Sequence, residues 1–296
     1  MLKIPTTKKR QMSQKATNQR TIRIAIPEIL NHRELLVNLV RRELRSRFRR
    51  TFLGWGWSFV LPVMMTAIYA LVLGTFLKAT PGAGDPSGID SFALFLLTGI
   101  VPWSFFSAGI GAATGSIVNA GGLITRVWFP RELLPMASIL ALLFTMMIEI
   151  FVLALAVMLI AQVMLIHFLP IAFVLMFFQA LFTIGFSFWL AAANVRYKDV
   201  EYLTTVFLLA YFYLTPVLYP ASFVPDTAVF GTSVTWREIF MLNPMARFMQ
   251  AYRNVFYDLR VPGVETMLWL IGWSLLVFYL GLRFFVRRAD RFAEAM

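Results

Sequence analysis

The sequence has no cysteine and only two histidines, His32 and His167, among 296 residues. Disulfides, thiolate zinc centres, iron–sulfur clusters and cysteine nucleophiles are therefore excluded, and two imidazoles are a poor basis for a catalytic metal. Charge is scarce as well. Asp, Glu, Lys and Arg make up 14% of the chain, where an ordinary globular protein carries about 25%. Apolar residues reach 59% and the mean hydropathy is +0.72. A water-soluble chain with so few charges could not cover its own surface, so lipid is the solvent expected for most of it. No Gly-x-x-x-x-Gly-Lys-Ser/Thr run is present, which excludes a P-loop of its own, and no Asp-x-Asp pair offers a metal-bound sugar nucleotide site.

What charge there is has a strong bias. Of 27 Lys and Arg, 14 lie within residues 1–50, ahead of the first apolar segment. A basic flank beside a membrane span reads as a cytoplasmic anchor by the positive-inside rule, not as a nucleic-acid surface.

Six spans are expected. Residues 51–77 carry no charge and hold a first span at about 55–77, which at 1.5 Å per residue is tilted in a hydrocarbon core of about 30 Å. The length of the run and the fifty residues before it exclude a signal peptide. Residues 78–90 are a Gly-, Pro- and Asp-rich loop. The run 91–125 contains six glycines and Pro102, which predicts a broken or strongly tilted span at about 92–117. Between Leu133 and Val195 the sole charge is Glu149, and this length suits a hairpin of spans at 137–164 and 171–193, turning at His167 and Pro170. A fifth span is expected at 202–219 and a sixth at 266–286. With the N-terminus inside, the cytoplasmic segments hold 22 of the 27 basic residues and the opposite side 5, which orients the chain.

Four features carry chemistry. Residues 31–50 form an amphipathic helix: Leu35, Leu36, Leu39, Val40, Leu44 and Phe48 recur at helical spacing while Arg41, Arg42, Arg45 and Arg49 crowd the rest. It suits the inner interface, on anionic headgroups or also on a cytoplasmic partner. The stretch Arg126, Val127, Trp128, Phe129, Pro130, Arg131, Glu132 is too polar to cross the membrane and too apolar for a free loop, so it is expected to pack on the cytoplasmic side. Glu149 is the one ionisable residue deep in a span, either a functional group or a structural carboxyl. Aromatic residues reach 16%, and Phe105, Phe106, Tyr211, Tyr213 and Tyr219 are candidates to line a sugar path, with helix packing as the competing explanation. No metal site and no catalytic residue is identified.

Four stretches carry a family likeness. ELRSRFRRTFLGWGWSFVLPVMM (43–65), GIVPWSFFSAGIGAATGSIVNAGGLITRVWFPRELLP (99–135), NVRYKDVEYL (194–203) and NPMARFMQAYRNVFY (243–257) occur in order within about residues 33–290. Together they resemble the membrane subunit of ABC-2-type exporters for cell-surface polysaccharides, including O-antigen, capsule, teichoic acid and galactan permeases. The resemblance implies an all-α integral membrane protein with the ABC-2 (type V) exporter fold. Its parts would be a basic cytoplasmic tail (1–30), an interface helix (31–50), a six-span domain (51–290) and a cytoplasmic C-terminus (291–296). Short re-entrant helices are implied within 220–265, and residues 119–135 would be the segment coupled to an ATPase. It further implies a homodimer in a bacterial cytoplasmic membrane, paired with two copies of a separate ATPase subunit that would hold ATP and Mg. This chain would bind no cofactor and no nucleic acid, and a lipid-linked polysaccharide would pass between its two copies. Export of a drug, lipid or other amphiphile is the alternative within the class. A membrane enzyme acting on polyprenyl phosphate is the alternative outside it.

Overall fold

The computed structural model describes residues 22–48, 52–79, 81–124, 128–228, 234–289 and 292. Arg49, Arg126 and Val127 lie outside them, as do most of the 1–30 tail and most of the C-terminus. Among the described residues the chain is helical, with one isolated antiparallel bridge between Ala228 and Thr235.

Helix α1 (Ile22–Asn31) and helix α2 (Arg33–Phe48) are separated by a turn at His32. The expected tail therefore ends in a helix, which packs against the last helix, and its Ile29 is buried. The first apolar helix, α3 (Trp57–Tyr69), follows a tight turn at Gly54–Gly56 and continues as π-helical turns through Ala70–Phe76. Helix α4 (Phe92–Asn119) is next, then the short α5 (Gly121–Ile124), α6 (Leu133–Ala161), α7 (Leu169–Arg196), α8 (Val200–Tyr213), α9 (Trp236–Met241), α10 (Pro244–Phe256) and α11 (Val264–Ala289).

Among the described residues, five helices are long and apolar enough to cross a membrane: Gly54–Phe76, Phe92–Asn119, Leu133–Ala161, Ile166–Arg196 and Val264–Ala289. The expected fifth span is instead the 14-residue α8. At 1.5 Å per residue it reaches about 21 Å, short of the roughly 30 Å core. The chain leaves the helix at Leu214 because Pro216 and Pro220 follow, and turns occupy 214–219.

Helix α4 is the centre of the bundle and is buried against α3, α6, α7, α8 and α10. It is one continuous helix, so of the two expectations for this run, a broken or a strongly tilted span, the break does not occur. The glycines serve close approach. A Cβ at Gly99 would lie 2.6 Å from the Val217 carbonyl oxygen, and one at Gly109 would lie 3.0 Å from Thr183. Helix α11 lies along α7, and their backbones meet at Gly185 and Gly281. Helix α3 is nearly bare. Its buried residues are Ser58, Pro62 and Thr66, one contact line at four-residue spacing.

Candidate functional site

The face that carries α2 is built from two pieces. Leu39 is buried and Leu35, Leu36 and Val40 are half-buried, and the helix rests on α6. That orientation leaves Arg41, Arg42 and Arg45 exposed on the other side. With Asn38 and Ser46 they line a shallow depression of about 500 Å³, and Arg42 pairs with Glu43 at 3.2 Å. The second piece follows α5. Trp128 is 70% exposed, whereas Phe129, Pro130 and Glu132 are buried. Of the two aromatic side chains, Phe129 belongs to this chain's own core and Trp128 alone is presented outward. Arg131 is half-buried. The His32 ring meets Trp128 edge-on, with centroids 6.3 Å apart, so the α1–α2 turn touches this segment directly.

Glu149 opens onto a cavity of about 320 Å³ between α3, α4 and α6, closed at one end by Arg47 of α2. Ser58, Ser104 and Thr145 supply its hydroxyls, and Trp57, Phe105 and Met146 its apolar walls. Among the described residues neither Arg47 nor any other group forms an ion pair with Glu149 within 4 Å. The cavity thus holds an acidic and a basic side chain in one lining without an ion pair between them.

The aromatic candidates divide. Phe105 lines the Glu149 cavity and Phe106 is buried among Phe182, Phe186 and Tyr211. Tyr211 stacks on Phe207 at 5.2 Å and donates its hydroxyl hydrogen to Asn243 Oδ1. Tyr213 is exposed, and the Tyr219 hydroxyl donates to the Tyr213 carbonyl at 2.8 Å. The five residues do not form one continuous lining within a single copy of the chain.

The opposite face is capped by α9, α10 and the 81–90 loop. Thr235 and Glu238 form a capping box at the start of α9. Asn243 caps α10 by accepting from Met245 N and Ala246 N, with Pro244 in the first turn. Its amide also donates to Leu214 O and Thr215 Oγ1, so one asparagine ties the end of α8 to the start of α10. Deeper in, the Tyr252 hydroxyl donates to Gln179 Oε1 at 2.9 Å, and Gln179 Nε2 donates to the Pro102 carbonyl at 2.8 Å. This chain of bonds links α10, α7 and α4.

Arg253 is the group on this face that sequence reasoning missed. Its Nη2 donates to Val217 O at 2.7 Å, its Nη1 to Tyr219 O at 3.2 Å, and the guanidinium lies 3.8 Å over the Phe95 ring. Burial lowers its pKa to about 9, against the pull of nearby Asp258, so it stays charged at neutral pH. Burial likewise raises the Asp258 carboxyl, with Arg260 and the Asp85 N–H opposing. The Asn-Pro signal and the apolar spacing of residues 243–257 foretell α10. A lone arginine in a helix carries no mark of burial.

The protein matches the family described as ABC-2 type transporter over residues 34–257. It is 30% identical over 276 residues to the O-antigen export system permease protein RfbA of Myxococcus xanthus, covering 92% of this chain and 98% of that protein. Two permeases of the same description from Klebsiella pneumoniae are 24% and 25% identical, each covering 89% of this chain and 95% of the relative.

Proposed function

The chain belongs to the ABC-2 type transporter family, and from that premise we propose that it is the permease subunit of an ATP-driven exporter of lipid-linked O-antigen-type polysaccharide. The observation that carries the reading is the end-to-end similarity to O-antigen export permeases, which covers 92% of this chain. Five long apolar helices among the described residues, around a core centred on α4, support a multi-pass membrane protein.

In this reading two copies form the conduit. The bare flanks of α3 and α8, where Ser58, Pro62, Thr66 and Thr204 are the buried positions, are the faces a second copy would cover. Each copy crosses the bilayer six times, with α8 and the turn after it serving as the fifth crossing. Both termini are cytoplasmic, and α10 re-enters from the outer side. Hydrolysis comes from a separate ATPase subunit, a division of labour consistent with the lack of a P-loop motif in this sequence. That subunit seats against Trp128 and the exposed arginines of α2, and the His32–Trp128 contact passes its movement between the two cytoplasmic elements. Tyr213 and Tyr219 sit toward the outer end of the path, where aromatic faces can stack on sugar rings while the chain slides.

The test is reconstitution. Proteoliposomes holding this chain together with its ATPase should move lipid-linked glycan to the opposite leaflet only with ATP and Mg, read out by a membrane-impermeant lectin. Translocation without the ATPase, or saturable hydrolysis by the isolated chain, sinks the proposal.

A further inference from the structure

The capped face contains a polar cavity of about 250 Å³, roofed by Pro81–Ala83 and by the Pro220–Ser222 turn, with α10 as its floor. Three of its lining groups decide its chemistry. Arg253 is 7% exposed, its two Nη groups are held by neutral carbonyls, and its Nε is buried with no hydrogen-bond partner. No carboxylate lies within 4 Å of it among the described residues. Asp258 acts on it from beyond ion-pair distance, and a buried guanidinium with no directly paired anion is costly. Arg260 adds a second positive charge. The one acid in the lining, Asp258, already accepts from Arg260 at 3.3 Å and from the Asp85 N–H at 3.3 Å. Asn254 spends its carbonyl oxygen on Arg260, which turns its amide N–H groups free, and Gln250 has no bond partner among the described residues.

The lining therefore offers two guanidinium groups and two amides against one engaged carboxylate. Donors exceed free acceptors and the net charge is positive. Phe95 and Tyr257 add apolar wall, but each is only 3% exposed and the Phe95 ring already carries the Arg253 guanidinium.

We propose that this cavity is a binding site for an oxyanion carried on a monosaccharide-sized ligand, the carboxylate of an acidic sugar or the phosphate of a sugar ester. The anion sits between the Arg253 and Arg260 guanidinium groups, and the ring lies toward Gln250 and Asn254, whose amides can donate to its hydroxyls. Guanidinium groups suit this task because their N–H geometry matches a planar or tetrahedral oxyanion. The assignment rests on the cavity alone. It stands whether or not the chain exports O-antigen.

The experiment uses the full chain in nanodiscs, without ATPase, and measures ligand-observed saturation-transfer NMR with galacturonate, glucose 1-phosphate and glucose. At least one acidic sugar should bind saturably, with Kd on the order of 1 mM for a fragment held by charge-assisted contacts, and glucose should bind at least tenfold more weakly. Galacturonate alone would assign the carboxylate as source, and glucose 1-phosphate alone the phosphate ester. Arg260→Gln should weaken binding at least fivefold. Should that variant lose its helical fold, Gln250→Leu at the exposed rim carries the test, with an expected loss of at least twofold. No saturable binding of either acidic sugar, glucose binding as tightly as they do, or unchanged binding in the folded variant each overturns the assignment.

Discussion

Gly185 and Gly281 face each other where α7 and α11 cross, so closely that a Cβ on Gly281 would overlap the Gly185 carbonyl oxygen. A Cβ on Gly185 would lie 2.5 Å from the backbone of Phe278. Backbone cannot swing aside as a long side chain does. Gly281→Ala should therefore separate the helices and destabilise the protein by about 1–3 kcal/mol, as overpacking of a tight core does. Gly272→Ala on the same helix, where nothing lies within 4 Å, should leave thermal melting in detergent unchanged. Equal melting of the two variants would refute the close crossing.

Trp128 and Phe129 are neighbours with opposite expected phenotypes. Trp128→Ala should melt like the parent and lose its ATPase in co-purification, at a cost of about 2 kcal/mol or more in docking if Trp128 anchors the interface. Phe129→Ala removes a core side chain that is 6% exposed, and should cost about 3–5 kcal/mol of stability. Retention of the ATPase at the parental level by Trp128→Ala would remove this segment from the docking surface.

Tyr252→Phe keeps the ring and deletes the hydroxyl that Gln179 Oε1 accepts from in a fully buried setting. An unsatisfied buried acceptor costs about 1–3 kcal/mol. Gln179→Leu breaks both links at once and should also loosen α10 from α4, which hydrogen exchange of the α10 amides would show as faster exchange. Protection equal to that of the parent would mean that packing alone holds α10.

Orientation can be read with single cysteines, since the chain has none of its own. Ser222→Cys, on the exposed rim of the capped face, should react with an impermeant maleimide on intact cells. Ser46→Cys on α2 should react only after the cells are opened. The reverse pattern would invert the topology.

Glu149→Gln should leave melting within about 1 kcal/mol of the parent, because no ion pair to the carboxylate within 4 Å is present among the described residues. Reconstituted transport then separates a working carboxylate from an idle one.

Much of this architecture is legible in the residues because spans are coded by long uncharged runs. The expected 92–117, 171–193 and 266–286 sit inside the helices Phe92–Asn119, Leu169–Arg196 and Val264–Ala289, while the expected 137–164 runs past the end of Leu133–Ala161. The same signal overstated the length of the fifth apolar helix, which ends at Tyr213, because apolar length says nothing about where Pro216 and Pro220 turn the backbone. It also misread the glycines of α4. A glycine that breaks a lone helix and one that admits a neighbouring backbone look identical in one dimension, and only the Val217 carbonyl beside Gly99 tells them apart. Trp128 and Phe129 are alike in composition and differ in burial, which depends on residues far away in the chain. Arg253 was hidden for the same reason: its partners Val217, Tyr219 and Phe95 are 34 or more positions distant.

Helix α8 has 14 residues, of which Thr204 alone is buried, and at about 21 Å it is shorter than the roughly 30 Å hydrocarbon core. In a dimer joined along α3 and α8, two such short helices would lie side by side at the seam. Lipid reaching that seam would have to thin or tilt to meet them, at a cost of fractions of a kcal/mol per Å of mismatch.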